Sequence, residues 1–177
     1  MGRGILILGL NGCGKTTVGR MLAARLQLFR MDAEDYYFPF PGDYSFTRSE
    51  EEVHQRMLAD ARSHGDFVLS CVRCNIPEAL VQLVELTVVL RATPELRAQR
   101  IIEREIRRFG DRVLPGGDMY EAQQNFHAFA AARSEELVTQ TLARLNGPVL
   151  EMDAALPVEE IVERICRVCE SAVPEEA

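Results

Sequence analysis

Lysine is almost missing from this chain. Of its 177 residues 20 are Lys or Arg, and a single one, Lys15, is lysine. Tryptophan is absent, there are three histidines, and the net charge is −7. An acidic chain lacks the positive field that broad nucleic-acid or anionic-membrane binding requires. Any anion it holds must therefore meet a local cluster of positive groups. His54, His64 and His127 stand at no metal-ligand spacing and read as surface or structural residues. No apolar run approaches the ~20 residues of a membrane span. The run at 5–8 is too short for a signal-peptide core and leads straight into Gly9 and Asn11. Position 6 is Leu, not Ser or Thr, so a myristoylation signal is excluded. The expectation is a cytoplasmic protein, monomer or homodimer, with no membrane partner and no broad nucleic-acid binding.

Five cysteines without an export signal predict free thiols. Four of them form two C-x-x-C pairs, Cys71/Cys74 and Cys166/Cys169, which together could supply four zinc ligands. The second pair lies one helical turn apart in an apolar-periodic segment, so it reads more simply as small core residues.

What is present is a regular alternation of short apolar runs and longer amphipathic segments. Strands are predicted at 4–10, 28–31, 66–71, 86–90 and 149–152. Helices are predicted at 15–28, 49–64 (capped by Ser49 with Glu52), 77–83, 94–108, 119–145 and 157–171. Strand alternating with helix predicts an α/β three-layer sandwich around a five-stranded parallel sheet, with the order expected as 2-3-1-4-5. The length fits one domain over 1–177, with a glycine-bearing loop near 108–118 acting as a lid. Ligands in such sheets bind beyond the carboxyl ends of the strands.

At the first of those ends stands Gly9-Leu10-Asn11-Gly12-Cys13-Gly14-Lys15-Thr16, which fits G-x-x-x-x-G-K-[ST] at every position. Its glycines let successive N–H groups turn inward around phosphate oxygens, and the following helix aims its positive end at the same point. Lys15 adds a compact charge for the β- and γ-phosphates, and the Thr16 hydroxyl can complete a magnesium shell. A chain that uses arginine everywhere else keeps lysine where a planar guanidinium would not fit. A guanine-reading N-K-x-D motif is impossible without a second lysine. The apolar runs end in Ser70-Cys71 and Arg91 rather than Asp-Glu, which weakens a motor-ATPase reading.

At this point the sequence resembles the P-loop small-molecule kinases of the adenylate kinase, shikimate kinase and gluconate kinase group. The resemblance covers nearly the whole chain. It rests on residues 9–17, the acidic cluster at 32–35, Leu90-Arg91-Ala92-Thr93-Pro94-Glu95-Leu96-Arg97 with Arg100 and Arg104, and the loop 108–118. Residues 153–157 look like that group's adenine-side loop. The segments M-D-x-E-D-Y-Y-F and F-G-D-R-x-L-P-G-G-D are similar to those of bacterial P-loop kinases grouped with AAA-family ATPases. The resemblance implies ATP and Mg2+ as cofactors, held by Gly9, Asn11, Gly12, Cys13, Gly14, Lys15, Thr16 and Thr17, with Asp153 on the adenine side. It also implies that Arg104 stacks on adenine and that Arg112 is the lid arginine near the transferred phosphate.

Asp32, Glu34 and Asp35 follow the second strand. Carboxylates there could hold magnesium through water, orient or deprotonate an acceptor hydroxyl, or serve only as a helix cap. Asp32 is the first choice for the metal and acceptor side. Tyr36 and Asp35 open an aromatic, proline-punctuated stretch that could wall an acceptor site or plug the space under a loop. Arg73 and Arg133 are candidate ligands for an anionic acceptor. Shikimate kinases carry a glycine triplet after the third strand; Ser70-Cys71-Val72-Arg73-Cys74 stands here, so an acceptor other than shikimate is expected. The reading is transfer of the γ-phosphate of Mg-ATP to a small molecule. A nucleoside monophosphate kinase and an ATP-binding regulatory protein with slow hydrolysis are the alternatives.

Overall fold

The structure, a computed structural model, describes residues 2–40, 44–73 and 75–171. Strand β1 (Gly4–Leu8), all Gly, Ile and Leu, is buried at every position. It lies between β3 (Phe67–Cys71) and β4 (Val84–Arg91), with β2 (Phe29–Asp32) outside β3 and β5 (Val149–Asp153) outside β4. All four pairings are parallel, and the order is β2-β3-β1-β4-β5, as the alternation predicts. The register places Leu8 beside Cys71 and Val89, Asp32 beside Ser70, and Arg91 beside Asp153. Every strand therefore ends on the same edge of the sheet.

Helices cover both sides: α1 (Lys15–Leu26), α2 (Ala33–Tyr37), α3 (Glu50–His64), α4 (Glu78–Val81), α5 (Pro94–Phe109), α6 (Tyr120–Ala132), α7 (Glu136–Leu142) and α8 (Val158–Ser171). Their starts are chemically marked. Ser49 accepts from the Glu52 amide at 3.2 Å, and Thr93 accepts from the Leu96 amide at 3.3 Å with Pro94 in the first turn. Leu6, Leu8, Met31, Met57, Phe67, Leu69, Leu90 and Ile161 are fully enclosed between sheet and helices. Each such side chain stabilises the fold by roughly 1.5–3 kcal/mol relative to exposure. Among the described residues no helix is long and apolar enough to cross a membrane.

Two elements differ from the sequence expectation. The helix expected over 119–145 is two helices, because Arg133 adopts an extended backbone (φ −70°, ψ 125°) between α6 and α7. Its side chain is drawn toward the loop after β1, a tertiary contact with no Gly or Pro to announce it. The acidic cluster forms the short helix α2, with Asp32 as its N-cap. Cys166 and Cys169 lie on α8, with Cys166 buried, as the core reading has it. Among the described residues no group of three or more His, Cys, Asp or Glu side chains could hold a metal ion, and Cys74 lies outside them.

Candidate active site

The loop after β1 wraps into the N-terminus of α1. Gly14 caps that helix at φ 87°, a left-handed conformation that suits glycine. Gly12 stands at φ +86°, and a Cβ there would lie 2.5 Å from the Arg97 carbonyl oxygen. The loop is thus pressed against the first turns of α5. Lys15 is half-buried, and its Nζ donates to the Leu10 carbonyl at 3.1 Å, curling over the loop. Burial lowers its pKa, opposed by the thiols of Cys13 and Cys71 and by the carboxylates of Asp32 and Glu34. Cys13 points into the core, where burial raises its thiol.

Thr16 Oγ1 donates to Asp32 Oδ2 at 2.7 Å, joining the loop to the end of β2. The other carboxylate oxygen, Oδ1, accepts from the Glu34 amide at 3.1 Å. Asp32 is therefore a helix cap and the partner of the loop threonine at once. The helix-cap reading of it from sequence is what the geometry shows, beside a contact with the loop. It is 7% exposed, and burial raises its pKa. A hydroxyl and a carboxylate in contact at the mouth of a phosphate loop are hard oxygen donors, the set magnesium takes when phosphates and water supply the rest. Thr17 is exposed on the next position of α1.

Asn11 is held from two sides. Arg97 Nε donates to its carbonyl at 2.9 Å, and Arg133 Nη1 donates to its side-chain oxygen at 2.9 Å. Arg97 is 6% exposed, and its Nη2 donates to the Ala130 carbonyl at 2.9 Å. It is an internal strut between the phosphate loop and α6. Arg133 lies over the Phe129 ring at 4.5 Å. Burial lowers its pKa, with Arg73 and Arg97 adding repulsion. Arg73, exposed after β3, thus shares a positive region with Arg133 beside the loop.

Arg100 and Arg104, one turn apart on α5, have different surroundings. Arg100 Nη2 donates to the Ala154 carbonyl at 2.8 Å, and its Nη1 lies 3.9 Å from where a Gly14 Cβ would be. It spans the phosphate loop and the turn after β5, where Asp153 Oδ1 accepts from the Ala155 amide at 2.8 Å. Arg104 instead pairs with buried Glu105 at 2.7 Å and lies 5.9 Å from the Phe126 ring. Arg112, in the 3-10 turn Gly110–Val113, pairs with Asp118 at 2.8 Å, both exposed, within its own loop.

The neighbouring carboxylates of α2 part company. Asp35 pairs with Arg30 at 2.7 Å. Glu34 lies close enough to Lys15 and Arg133 to act on the charge of both, and accepts from the Tyr44 hydroxyl at 2.8 Å. Tyr36 is buried, with its hydroxyl donated to Asp60 at 2.6 Å, which raises its pKa after burial itself. It lines a cleft of about 480 Å³ with Arg30, Asp32, Asp35, Arg48 and Arg56. Of the sequence candidates, then, the structure gathers residues 9–17, Asp32, Arg73 and Arg133 at one edge. Asp35 and Tyr36 serve contacts beside β2 and α3, Arg104 serves contacts with Glu105 and with Phe126 of α6, and Arg112 serves one within its own loop. Reading from sequence named Glu34 with Asp32 and Asp35 without singling it out, and missed Arg97 as a strut and Arg100 as the residue beside the turn after β5.

The chain is similar to known proteins over most of its length. Residues 5–113 match the family described as AAA domain. The chain is 31% identical over 175 residues to the Bacillus subtilis (strain 168) protein YqaC, covering 93% of this chain and 96% of that one. It is 33% identical over 177 residues to a shikimate kinase of Paramagnetospirillum magneticum (strain ATCC 700264 / AMB-1), covering 86% and 88%. Among solved structures, the deoxyadenosine kinase of M. mycoides with bound dATP superposes with a TM-score of 0.60 at 16% identity, over 94% of this chain and 98% of that one. At that identity the likeness speaks for the fold alone.

Proposed function

We propose that this chain, which belongs to the AAA domain family and to the P-loop small-molecule kinase group, transfers the γ-phosphate of Mg-ATP to a small acceptor bearing an anionic group. The observation that carries this reading is the 2.7 Å contact between Thr16 and Asp32 at the mouth of a complete phosphate loop.

In this reading residues 9–17 bind the triphosphate through backbone N–H groups, and the Lys15 ammonium offsets charge on the β- and γ-phosphates. Thr16 directly and Asp32 through water would hold magnesium, which supplies further neutralisation of phosphate charge. Arg97 keeps the loop in shape. Arg100 and Asp153 flank the base, a task the sequence resemblance gives to Arg104. Residues 108–118 form the lid, and Arg112 must leave Asp118 to approach the phosphates. That exchange is easy for an exposed, solvent-screened ion pair. Glu34 faces the acceptor, able to orient or deprotonate its hydroxyl. Arg73 and Arg133 receive its anionic group; their mutual repulsion favours an anion there.

The test is ADP release from Mg-ATP across a metabolite panel that includes shikimate, sugar acids and nucleoside monophosphates. One strong hit is expected, abolished in Lys15→Ala. The segment after β3 argues against shikimate, and the shikimate kinase relative makes it the first compound to try. Nucleotide affinity without any acceptor-stimulated release would favour a regulatory ATP-binding protein. Unchanged affinity and turnover in Lys15→Ala would overturn the reading.

A further inference from the structure

The segment from Tyr44 to Arg48 lies against α2 and brings one side chain between two halves of the site. Tyr44 rests edge-on against Phe38, ring centroids 4.9 Å apart. Its hydroxyl contacts Glu34 Oε1 at 2.8 Å and Arg108 Nη1 at 3.5 Å. Glu34 belongs to α2 on the acceptor side, whereas Arg108 stands in the last turn of α5, where the lid begins.

Chemistry fixes the direction of this chain. A carboxylate only accepts and a guanidinium only donates, so the phenol must donate to Glu34 and accept from Arg108. Burial, and then the charge and hydrogen bond of Glu34, raise the Tyr44 pKa, so the hydroxyl keeps the one proton the arrangement needs. An Arg–hydroxyl–carboxylate series polarises along its length, each contact strengthening the other. The Arg108 contact is the long one and the more easily broken. Tyr44 is itself held in place: Arg48, four residues on, donates to the Tyr36 carbonyl at 2.8 Å and the Asp35 carbonyl at 3.3 Å, and its amide donates to the Tyr37 carbonyl at 2.9 Å. The segment is thus anchored to the C-terminal end of α2, while Tyr44 reaches from it to α5.

We propose that Tyr44 is a positioning residue whose hydroxyl couples Glu34 on the acceptor side to Arg108 at the base of the lid, so that a change at Glu34 is felt where the lid begins. The inference takes from the proposed function only which side is the acceptor's and which loop is the lid. An acceptor that engages Glu34 would withdraw the carboxylate from the phenol, loosen Arg108, and link acceptor arrival to lid movement. Glu34 and Arg108 need not touch for this to operate.

The test asks whether Glu34 and Arg108 communicate, and whether the phenol oxygen carries the message. Amide hydrogen exchange at Gly110–Val113 is followed in the whole protein without ligand. Glu34→Gln is expected to speed exchange there about threefold or more, and to have no further effect in a Tyr44→Phe background, which keeps the ring on Phe38. In urea unfolding, Glu34→Gln and Arg108→Met are expected to be non-additive by a few-fold in the unfolding constant with Tyr44 present, and additive in the Tyr44→Phe background. With water as acceptor, Tyr44→Phe, which frees Arg108 in the absence of an acceptor, should raise kcat for Mg-ATP hydrolysis about threefold or more at unchanged KM for ATP, a gain that loss of packing alone would not give. Equal effects of Glu34→Gln in both backgrounds would overturn the coupling even if the protein is a kinase. Failure of the wild type to bind or turn over Mg-ATP would overturn the kinase reading, while the exchange and unfolding results would still decide the coupling.

Discussion

At the scale of single residues, Asp32 shows a site and a fold pulling against each other. It caps α2, bonds Thr16, and is held 7% exposed with its pKa raised by burial. A carboxyl whose folded pKa lies above its unfolded value favours folding when protonated, and that contribution is lost as pH rises through the folded pKa. Its ionised form at neutral pH is therefore a burden on stability. Asp32→Asn, which keeps a good cap and a hydrogen-bond acceptor, should raise the Tm at pH 7 while removing most Mg-ATP turnover. The gain should shrink as pH falls through the raised value and vanish below the ordinary 3.8. Thermal melts of both proteins from pH 3 to 8 check this. Gly12→Ala should abolish nucleotide binding in a calorimetric titration. It adds a Cβ 2.5 Å from the Arg97 carbonyl at φ +86°, and neither the loop nor α5 has room to yield.

At the scale of elements, α5 carries two devices one turn apart that predict different losses. Thr93→Ala removes an exposed N-cap and should destabilise the protein by about 1 kcal/mol in urea, with Mg-ADP affinity unchanged. Arg97→Met leaves the Asn11 and Ala130 carbonyls without their donors inside the protein, and should destabilise by about 2–4 kcal/mol and weaken Mg-ADP binding as well. That contrast was hidden in the sequence. Arg97, Arg100, Arg104 and Arg107 recur along one face of a helix and look alike there, yet one is internal, one bridges to the turn after β5, and one pairs with Glu105. The phosphate loop and the strands were legible because local chemistry determines them: glycine conformation, a lone lysine, runs of Ile, Val and Leu. The break between α6 and α7 was not, since it follows from Arg133 reaching Asn11, 122 positions away. Glu34 and Asp35 were alike in the sequence; in the fold Glu34 bonds Tyr44 and acts on the charge of Lys15 and Arg133, while Asp35 pairs with Arg30.

At the scale of the whole molecule, the site is assembled from the ends of all five strands, so a ligand there should stabilise the entire fold. Mg-ADP at about a hundred times its Kd should add roughly 2.7 kcal/mol to unfolding, read as a Tm shift. EDTA should reduce the shift, and Lys15→Ala should remove it. The same architecture sets a timetable for synthesis. The central strand β1 is made first, but its partners are not: Gly4 pairs with Phe67 on one side and Val84 on the other. At a translation rate of about 5–20 residues per second, this uncharged Gly-Ile-Leu-Ile-Leu segment spends several seconds on the nascent chain without the neighbours that will enclose it. A short, apolar, β-prone stretch in that state is what chaperones bind and what aggregates in their absence. The strand that sets the phosphate loop in place is thus also the part of the chain most dependent on protection while it waits.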